Sequence, residues 1–272
     1  MTPDLDLYLT RIGYSGPVRP QLETLNALHA AHVNAVPFEN LDVHAGRPVV
    51  LSLEAAYDQI VTRRQGGWCF EMNTVFGWAL SEIGFDVMRV AAGVRRASLG
   101  DAAIGNHLAL IVRLDQDYLV DVGFGSSQMM AIALEEGVTS HPPVRMALAR
   151  TEDGYWRLHE GGPGSLVSYD FLPMPADEAL LAERHAWQCT DANSIFCKTL
   201  SAKIRRGTQY FELRGRVLDT RMPGRSEQRT LTSADEVSDV LRDVFSLEEP
   251  ALAALWPKIC ARHKQIFPHA DA

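Results

Sequence analysis

Apolar positions recur at helical spacing through the first third of the chain, then give way to the β-branched runs of strands. Between Gln21 and Val33, residues Leu22, Leu25, Leu28 and His29 fall on one helix face, and Leu53 to Val61 forms a shorter amphipathic stretch. A third helix is expected from near Gly66-Gly67 through Phe70, Val75, Phe76, Ala79, Leu80 and Ile83, with Gly84 closing it. Phe85 to Val94, His107 to Leu114 and Tyr118 to Phe124 are strand-like runs separated by Gly and Asp turns; Tyr155 to His159 and Ser165 to Leu172 continue them. Antiparallel strands in succession point to a barrel or strongly curved sheet, not to a parallel doubly wound one.

Pro173 and Pro175 precede a helix-like Asp177 to Trp187. Beyond it, strands are expected at Tyr210 to Arg216, Arg216 to Thr220 and near Arg229 to Leu231. Ser233 and Glu236 then form a capping box ahead of Val237, Leu241, Val244 and Phe245 on one helix face. The fold class is α+β, helices first and sheet second, with a small α/β unit at the end. There is no internal repeat, low-complexity tract or long linker.

Composition narrows the function classes. The 272 residues carry 26 Lys plus Arg against 34 Asp plus Glu, a net charge of −8 that offers no basic footprint for nucleic acid or an anionic membrane. No apolar run approaches the ~20 residues that cross a bilayer, and the segment through Asp4 and Asp6 is acidic where a secretory signal is basic. Cys69, Cys189, Cys197 and Cys260 are too few and too scattered for a disulfide scaffold, so a reduced, cytoplasmic location is expected.

The sharpest chemical signal is Arg63-Arg64-Gln65-Gly66-Gly67-Trp68-Cys69-Phe70-Glu71. Two glycines let the backbone turn tightly and leave room for a substrate. Cys69 then enters the first turn of a helix, where unpaired N–H groups and the positive dipole end favour a thiolate and can serve as an oxyanion hole. A small buried cysteine is the alternative. A thiolate nucleophile needs a base, and the base an orienting group. His107 opens one apolar strand and Asp121 ends the next, so a hairpin turning at Asp115 to Asp117 brings them out side by side at one end. Singly, a strand-start His or an Asp before Gly is ordinary. Together with Cys69 they fill three roles.

On these residues the chain resembles the arylamine N-acetyltransferase family. The matching motifs are Val36-Pro37-Phe38-Glu39-Asn40-Leu41-Asp42, Gly66-Gly67-Trp68-Cys69-Phe70-Glu71-Met72-Asn73, His107-Leu108 and Val120-Asp121-Val122-Gly123-Phe124-Gly125. The similarity runs from Tyr8-Leu9-Thr10-Arg11-Ile12-Gly13 to Asn193-Ser194-Ile195-Phe196, with the last third matching least. The resemblance implies a helical bundle over 1–84 carrying the nucleophile, an antiparallel β-barrel over 85–188 carrying the His and Asp, and an α/β lid over 189–272. The core would be like that of papain-type proteases and transglutaminases. It further implies a Cys69-His107-Asp121 triad, an acceptor pocket edged by Phe38, Phe124 and Val94, and acetyl-CoA as co-substrate. Ping-pong transfer to an arylamine, arylhydrazine or N-hydroxyarylamine follows, by a monomer or homodimer. One departure stands out. The family usually has Arg before Gly-Gly, tying the helix to the Phe-Glu-Asn-Leu-Asp segment. Here the residue is Gln65, so the ion pairing of Glu39 falls to Arg64 or is lost.

Other features take their plain interpretation. Cys189 and Cys197, eight apart with no second pair, make no zinc motif, and Cys260 with His263 at i and i+3 reads as core plus surface. No glycine fingerprint for a dinucleotide and no phosphate-binding Gly-Lys-Ser/Thr loop is present, so no metal or nucleotide redox cofactor is expected. Arg205-Arg206 and Arg221 to Arg225 read as solvated loops. A cysteine hydrolase or amide synthase with another acyl donor or acceptor is the alternative activity. A silent binding protein is disfavoured by the intact triad.

Overall fold

The computed structural model describes residues 2–125, 127–162 and 164–267. Its N-terminal part is built from α1 (Leu5–Ile12), α2 (Leu22–Ala35), α3 (Leu41–His44), α4 (Leu53–Tyr57) and α5 (Cys69–Ile83), with a two-residue strand β1 (Phe38–Glu39) between α2 and α3. The Asp4 carboxylate caps α1 by accepting the Leu7 N–H, and the helix stops at Gly13 in the left-handed region. The amphipathic stretch from Leu53 to Val61 is one continuous rod, but its second half, Asp58–Thr62, winds as a π turn. The third predicted helix starts two residues later than expected, at Cys69, and ends as expected at Gly84 with φ +101°.

The chain then forms β2 (Asp86–Val94), α6 (Arg96–Leu99), β3 (His107–Arg113), β4 (Asp117–Val120), β5 (Ile132–Ala133), β6 (Gly137–His141), β7 (Val144–Arg150), β8 (Trp156–Glu160) and β9 (Ser168–Phe171). Among the described residues these eight strands make one antiparallel sheet in the order β5-β4-β3-β2-β9-β8-β7-β6, curled into a nearly closed barrel. The expected barrel is therefore present, with three strands (β5, β6 and β7) that the apolar pattern did not disclose. β5 is two residues long and most of β6 is exposed, so neither had a hydrophobic run to show.

β3 lies at the centre of the molecule. Leu108, Leu110 and Val112 pack with Phe70, Phe76 and Leu80 of α5, while Ala109 and Ile111 face the second core with Met146, Leu158 and Phe171. Burial on both faces explains why its sequence is a continuous apolar run. At about 1.5–3 kcal/mol for each fully buried large apolar side chain, this double packing fixes α5 against the barrel.

After α7 (Glu178–Thr190) and α8 (Ile195–Lys198) come β10 (Ser201–Arg206), β11 (Gln209–Arg214), β12 (Val217–Met222) and β13 (Arg225–Thr230). They form a second sheet in the order β1-β10-β11-β12-β13, covered by α9 (Ala234–Phe245) and α10 (Leu252–Ile266). Its edge strand β1 comes from residues 38–39, so the two ends of the chain share one sheet. Arg205 and Arg206 belong to β10, Arg221 to β12 and Arg225 to β13, and Arg205 is wholly buried instead of solvated. Among the described residues no helix is long and apolar enough to cross a membrane.

Candidate active site

Cys69 is the first residue of α5 and 3% exposed, and the N–H groups of this first turn lack acceptors within the helix. Glu71 caps the turn, its Oε2 accepting the Trp68 N–H at 3.0 Å. The two preceding glycines serve a purpose the sequence reading missed. Gly67 pairs with Phe38 in a parallel bridge; the Glu39 N–H donates to the Gly67 carbonyl at 2.9 Å and the Gly67 N–H to that of Pro37 at 3.2 Å. A Cβ on Gly66 would stand 2.3 Å from the Pro37 carbonyl oxygen and 2.5 Å from Glu39 Cγ. Gly66 thus lets β1 lie against the nucleophile's approach, while a Cβ on Gly67 would come within 3.1 Å of Glu71 Cβ.

The hairpin arithmetic holds. β3 pairs β4 with Arg113 opposite Asp117 and Leu110 opposite Val120, which leaves His107 and Asp121 at the same end. His107 Nε2 and Asp121 Oδ2 are 2.6 Å apart, both groups buried. This bond commits Nε2 to the carboxylate and leaves Nδ1 for Cys69. Burial alone would strip the imidazole of its proton, but the charges of Asp121 and then Cys69, with hydrogen bonds to both, push its pKa up to about 10. Burial likewise opposes the charge on Asp121, yet the adjacent His107 holds its carboxyl below the ordinary range, with help from Asn73 and the Gly123 N–H.

Two residues complete this geometry without having been singled out from the sequence. Asn73, one turn after Cys69, donates from Nδ2 to Asp121 Oδ1 at 2.8 Å and to the Leu108 carbonyl at 2.7 Å, while its Oδ1 accepts the Val122 N–H at 3.1 Å. It thus ties the nucleophile's helix to both strands of the hairpin. Its i+4 spacing from Cys69 was the available signal. Tyr169 tilts over His107 with ring centroids 4.8 Å apart. Burial, and then the charge of Asp121, hold its phenol well above the usual range. The Asp121 loop approaches Cys69 closely: a Cβ on Gly123 would lie 2.6 Å from Cys69 Cα and 2.7 Å from Asn73 Nδ2.

The expected pocket residues fall unevenly around this centre. Phe124 meets the His107 ring edge-on at 5.5 Å and that of Tyr169 at 4.9 Å. Phe38 stands on β1 beside Gly67, two residues before Cys69. Val94, at the end of β2, is paired in register with Tyr169, and its N–H donates to Asn106 Oδ1 at 2.8 Å, next to His107. Cys189 is a poor nucleophile, its thiol pushed up to about 12 by burial and then by Glu71. Among the described residues no three His, Cys, Asp or Glu side chains are placed to hold a metal.

The substitution at Gln65 has a clear consequence. Arg64 is exposed and does not replace the missing ion pair. Glu39 instead accepts the Leu41 N–H at 2.5 Å, and among the described residues it makes no ion pair. Burial pushes its carboxyl up to about 8, and that of Glu71, on the other side of the glycines, to about 7.

Comparison with known proteins identifies the family of the chain. A family model described as N-acetyltransferase matches residues 21–251. The chain is 36% identical over 270 residues to the arylamine N-acetyltransferase of Mycolicibacterium smegmatis, covering 93% of this chain and 95% of that protein. It is 33% identical over 288 residues to the arylamine N-acetyltransferase of Mycobacterium tuberculosis, covering all of both. The fold superposes on the structure of Mycobacterium marinum arylamine N-acetyltransferase in complex with CoA with a TM-score of 0.83 and 32% identity, over 97% of this chain and 99% of that one.

Proposed function

Because the chain belongs to the arylamine N-acetyltransferase family, we propose that Cys69 carries an acetyl group from acetyl-CoA to the nitrogen of an aromatic amine or hydrazine. The protein is an acyltransferase and acetyl-CoA is its co-substrate. The residue roles are our own reading, and the observation that carries it is the closed Cys69-His107-Asp121-Asn73 arrangement at the start of α5.

In the first half-reaction the Cys69 thiolate attacks the thioester carbonyl carbon, and the oxyanion meets the first-turn N–H groups of Cys69 and Phe70. The C–S bond to CoA breaks, and the departing thiolate takes the proton held by His107. In the second, the amine nitrogen attacks the acetyl carbon on Cys69 and the now neutral His107 accepts the nitrogen's proton. The amide is released and the thiolate and imidazolium are restored. Asp121 holds the imidazole orientation and balances its charge, and Asn73 fixes Asp121. An aromatic amine arrives neutral, and Phe124, Phe38 and Val94 would give it an apolar, water-poor wall.

We read the three segments 1–84, 85–188 and 189–272 as a nucleophile-bearing bundle, a barrel carrying the base and its carboxylate, and a lid on a papain/transglutaminase-like core. The packing of α5 against β2 and β3 supports that reading. A cytoplasmic location suits an enzyme whose four cysteines are free. Steady-state rates measured over a grid of acetyl-CoA and aniline concentrations test the cycle. Parallel double-reciprocal lines are expected. Lines converging to the left of the axis indicate a ternary complex and contradict a free acetyl-Cys69 enzyme.

A further inference from the structure

Arg205 of the second sheet is wholly buried, and its guanidinium reaches into the barrel. From β10 its guanidinium donates to the carbonyls of Ser127 and Pro142 and to that of His141 at 3.2 Å. On the neighbouring strand β11, the Tyr210 hydroxyl donates to the Gly125 carbonyl at 2.8 Å, and both side chains are fully buried. The two residues face each other across the sheet register, Arg205 being paired with Tyr210. The fit against the loop is close: a Cβ on Gly125, whose φ is +64°, would lie 2.8 Å from Lys203 Cδ and 3.3 Å from the Tyr210 hydroxyl.

The segment held in this way follows Asp121 and carries Phe124. Ser127 Oγ donates back to the Phe124 carbonyl at 2.9 Å, so the carbonyls gripped by Tyr210 and Arg205 lie one and three residues beyond Phe124 on a self-bonded turn. Phe124 in turn rests edge-on against His107. A planar guanidinium with several donors in fixed directions suits the binding of several carbonyls at once, which a lysine cannot do.

We propose that Arg205 and Tyr210 are positioning residues for the acceptor half of the reaction, holding the Phe124 loop so that its ring forms the wall on which the aromatic amine docks. The proposal rests on the transferase reading above and makes the second sheet part of the acceptor site. It acts through Phe124, since the hydrogen bonds described for the two residues reach the loop and the barrel rim at Gly125, Ser127, His141 and Pro142.

Tyr210→Phe deletes only the hydroxyl, and Arg205→Lys keeps the charge while losing the fork. For both, the KM for aniline should rise about 3- to 10-fold, the change expected from one lost buried hydrogen bond, while the rate of Cys69 acetylation by acetyl-CoA stays within about twofold of wild type. In a Phe124→Ala background the further effect of Tyr210→Phe on aniline KM should largely vanish, because the two act as one unit. Additive effects in that cycle, or equal slowing of both half-reactions, mean a general structural role and overturn the proposal. Residue-resolved hydrogen exchange tests the clasp apart from turnover. Exchange at the amides of Phe124, Gly125 and Ser127 should quicken in Tyr210→Phe while that of β3 is unchanged; unaltered exchange at all three refutes it. A wild-type protein that takes up no acetyl group contradicts the transferase reading instead, and the exchange result then decides the clasp.

Discussion

Replacing Glu39 by Gln should make the protein more stable in alkaline solution while changing little near pH 5. Burial raises the carboxyl from 4.5 to about 8, outweighing the Leu41 N–H and the charge of Arg47, which favour the anion. Above pH 4.5 the unfolded chain has released this proton and the folded chain has not, so the folded state binds more protons and stability falls as pH rises, until the folded group also ionises near pH 8. At about 1.4 kcal/mol per unit, a shift of roughly 3.5 units sets an upper bound of about 5 kcal/mol. Relaxation and water entry reduce that to about 2–3 kcal/mol. Gln keeps an oxygen for the Leu41 N–H and has no proton to lose. Urea midpoints measured at pH 5 and pH 9, at constant m-value, isolate the effect. Glu39→Gln should match wild type within about 1 kcal/mol at pH 5 and exceed it by about 2–3 kcal/mol at pH 9. The shallower slope that remains includes Glu71, raised by burial to about 7, and His107, raised to about 10. Gln65→Arg tests the same logic from the other side. A cavity of about 200 Å³ lined by Glu39, Asp42, Arg47, Arg63 and Gln65 adjoins the carboxylate, and a guanidinium there should lower the Glu39 pKa and flatten the same pH profile. If Glu39→Gln loses the same stability at pH 5 and pH 9, Glu39 is ionised in the fold and this reasoning fails.

Cys69→Ser should abolish transfer, because a hydroxyl of far higher pKa stays protonated beside His107; measurable turnover in a stopped assay would sink the covalent route. Asp121→Asn should slow transfer by at least about 100-fold with the fold intact by circular dichroism, since the imidazolium loses its counter-charge; wild-type rates would make Asp121 a turn residue only. Gly123→Ala forces a methyl to within 2.6 Å of Cys69 Cα, so both half-reactions should fall by at least about tenfold with the triad residues all present. Unchanged rates would mean that the Asp121 loop does not need this approach. His107 keeps its proton until about pH 10, so acetylation of Cys69 should hold its rate through neutral pH and decline only as pH rises through that value. A decline centred near 6.5 would show that Asp121 and Cys69 do not stabilise the imidazolium.

The central elements were legible because their signals are local. Gly84 closes α5, the apolar run of β3 marks a strand buried on both faces, and counting residues through the β3–β4 turn is enough to bring His107 and Asp121 together. What escaped depends on partners distant in sequence. The polar strand β10 looked like a basic loop because Arg205 is compensated by carbonyls more than sixty residues away. Asn73 gave only a spacing, since its partners come from β3 and from the loop that follows β4. The glycines before Cys69 were singled out for a tight turn and room for substrate, but their packing against β1 escaped, because β1 is a two-residue strand that no periodicity reveals. Gln65 was visible as a departure, but only the structure shows that Arg64 is exposed and that, among the described residues, Glu39 makes no ion pair.

The most direct test of the account is the mass of the intact protein after mixing with acetyl-CoA alone, followed by addition of aniline. One acetyl group should appear, map to Cys69, persist for many turnover times in the absence of amine, and disappear within one turnover when aniline is added. An acetyl group that forms on another residue, or that is lost as fast to water as to aniline, contradicts transfer through Cys69.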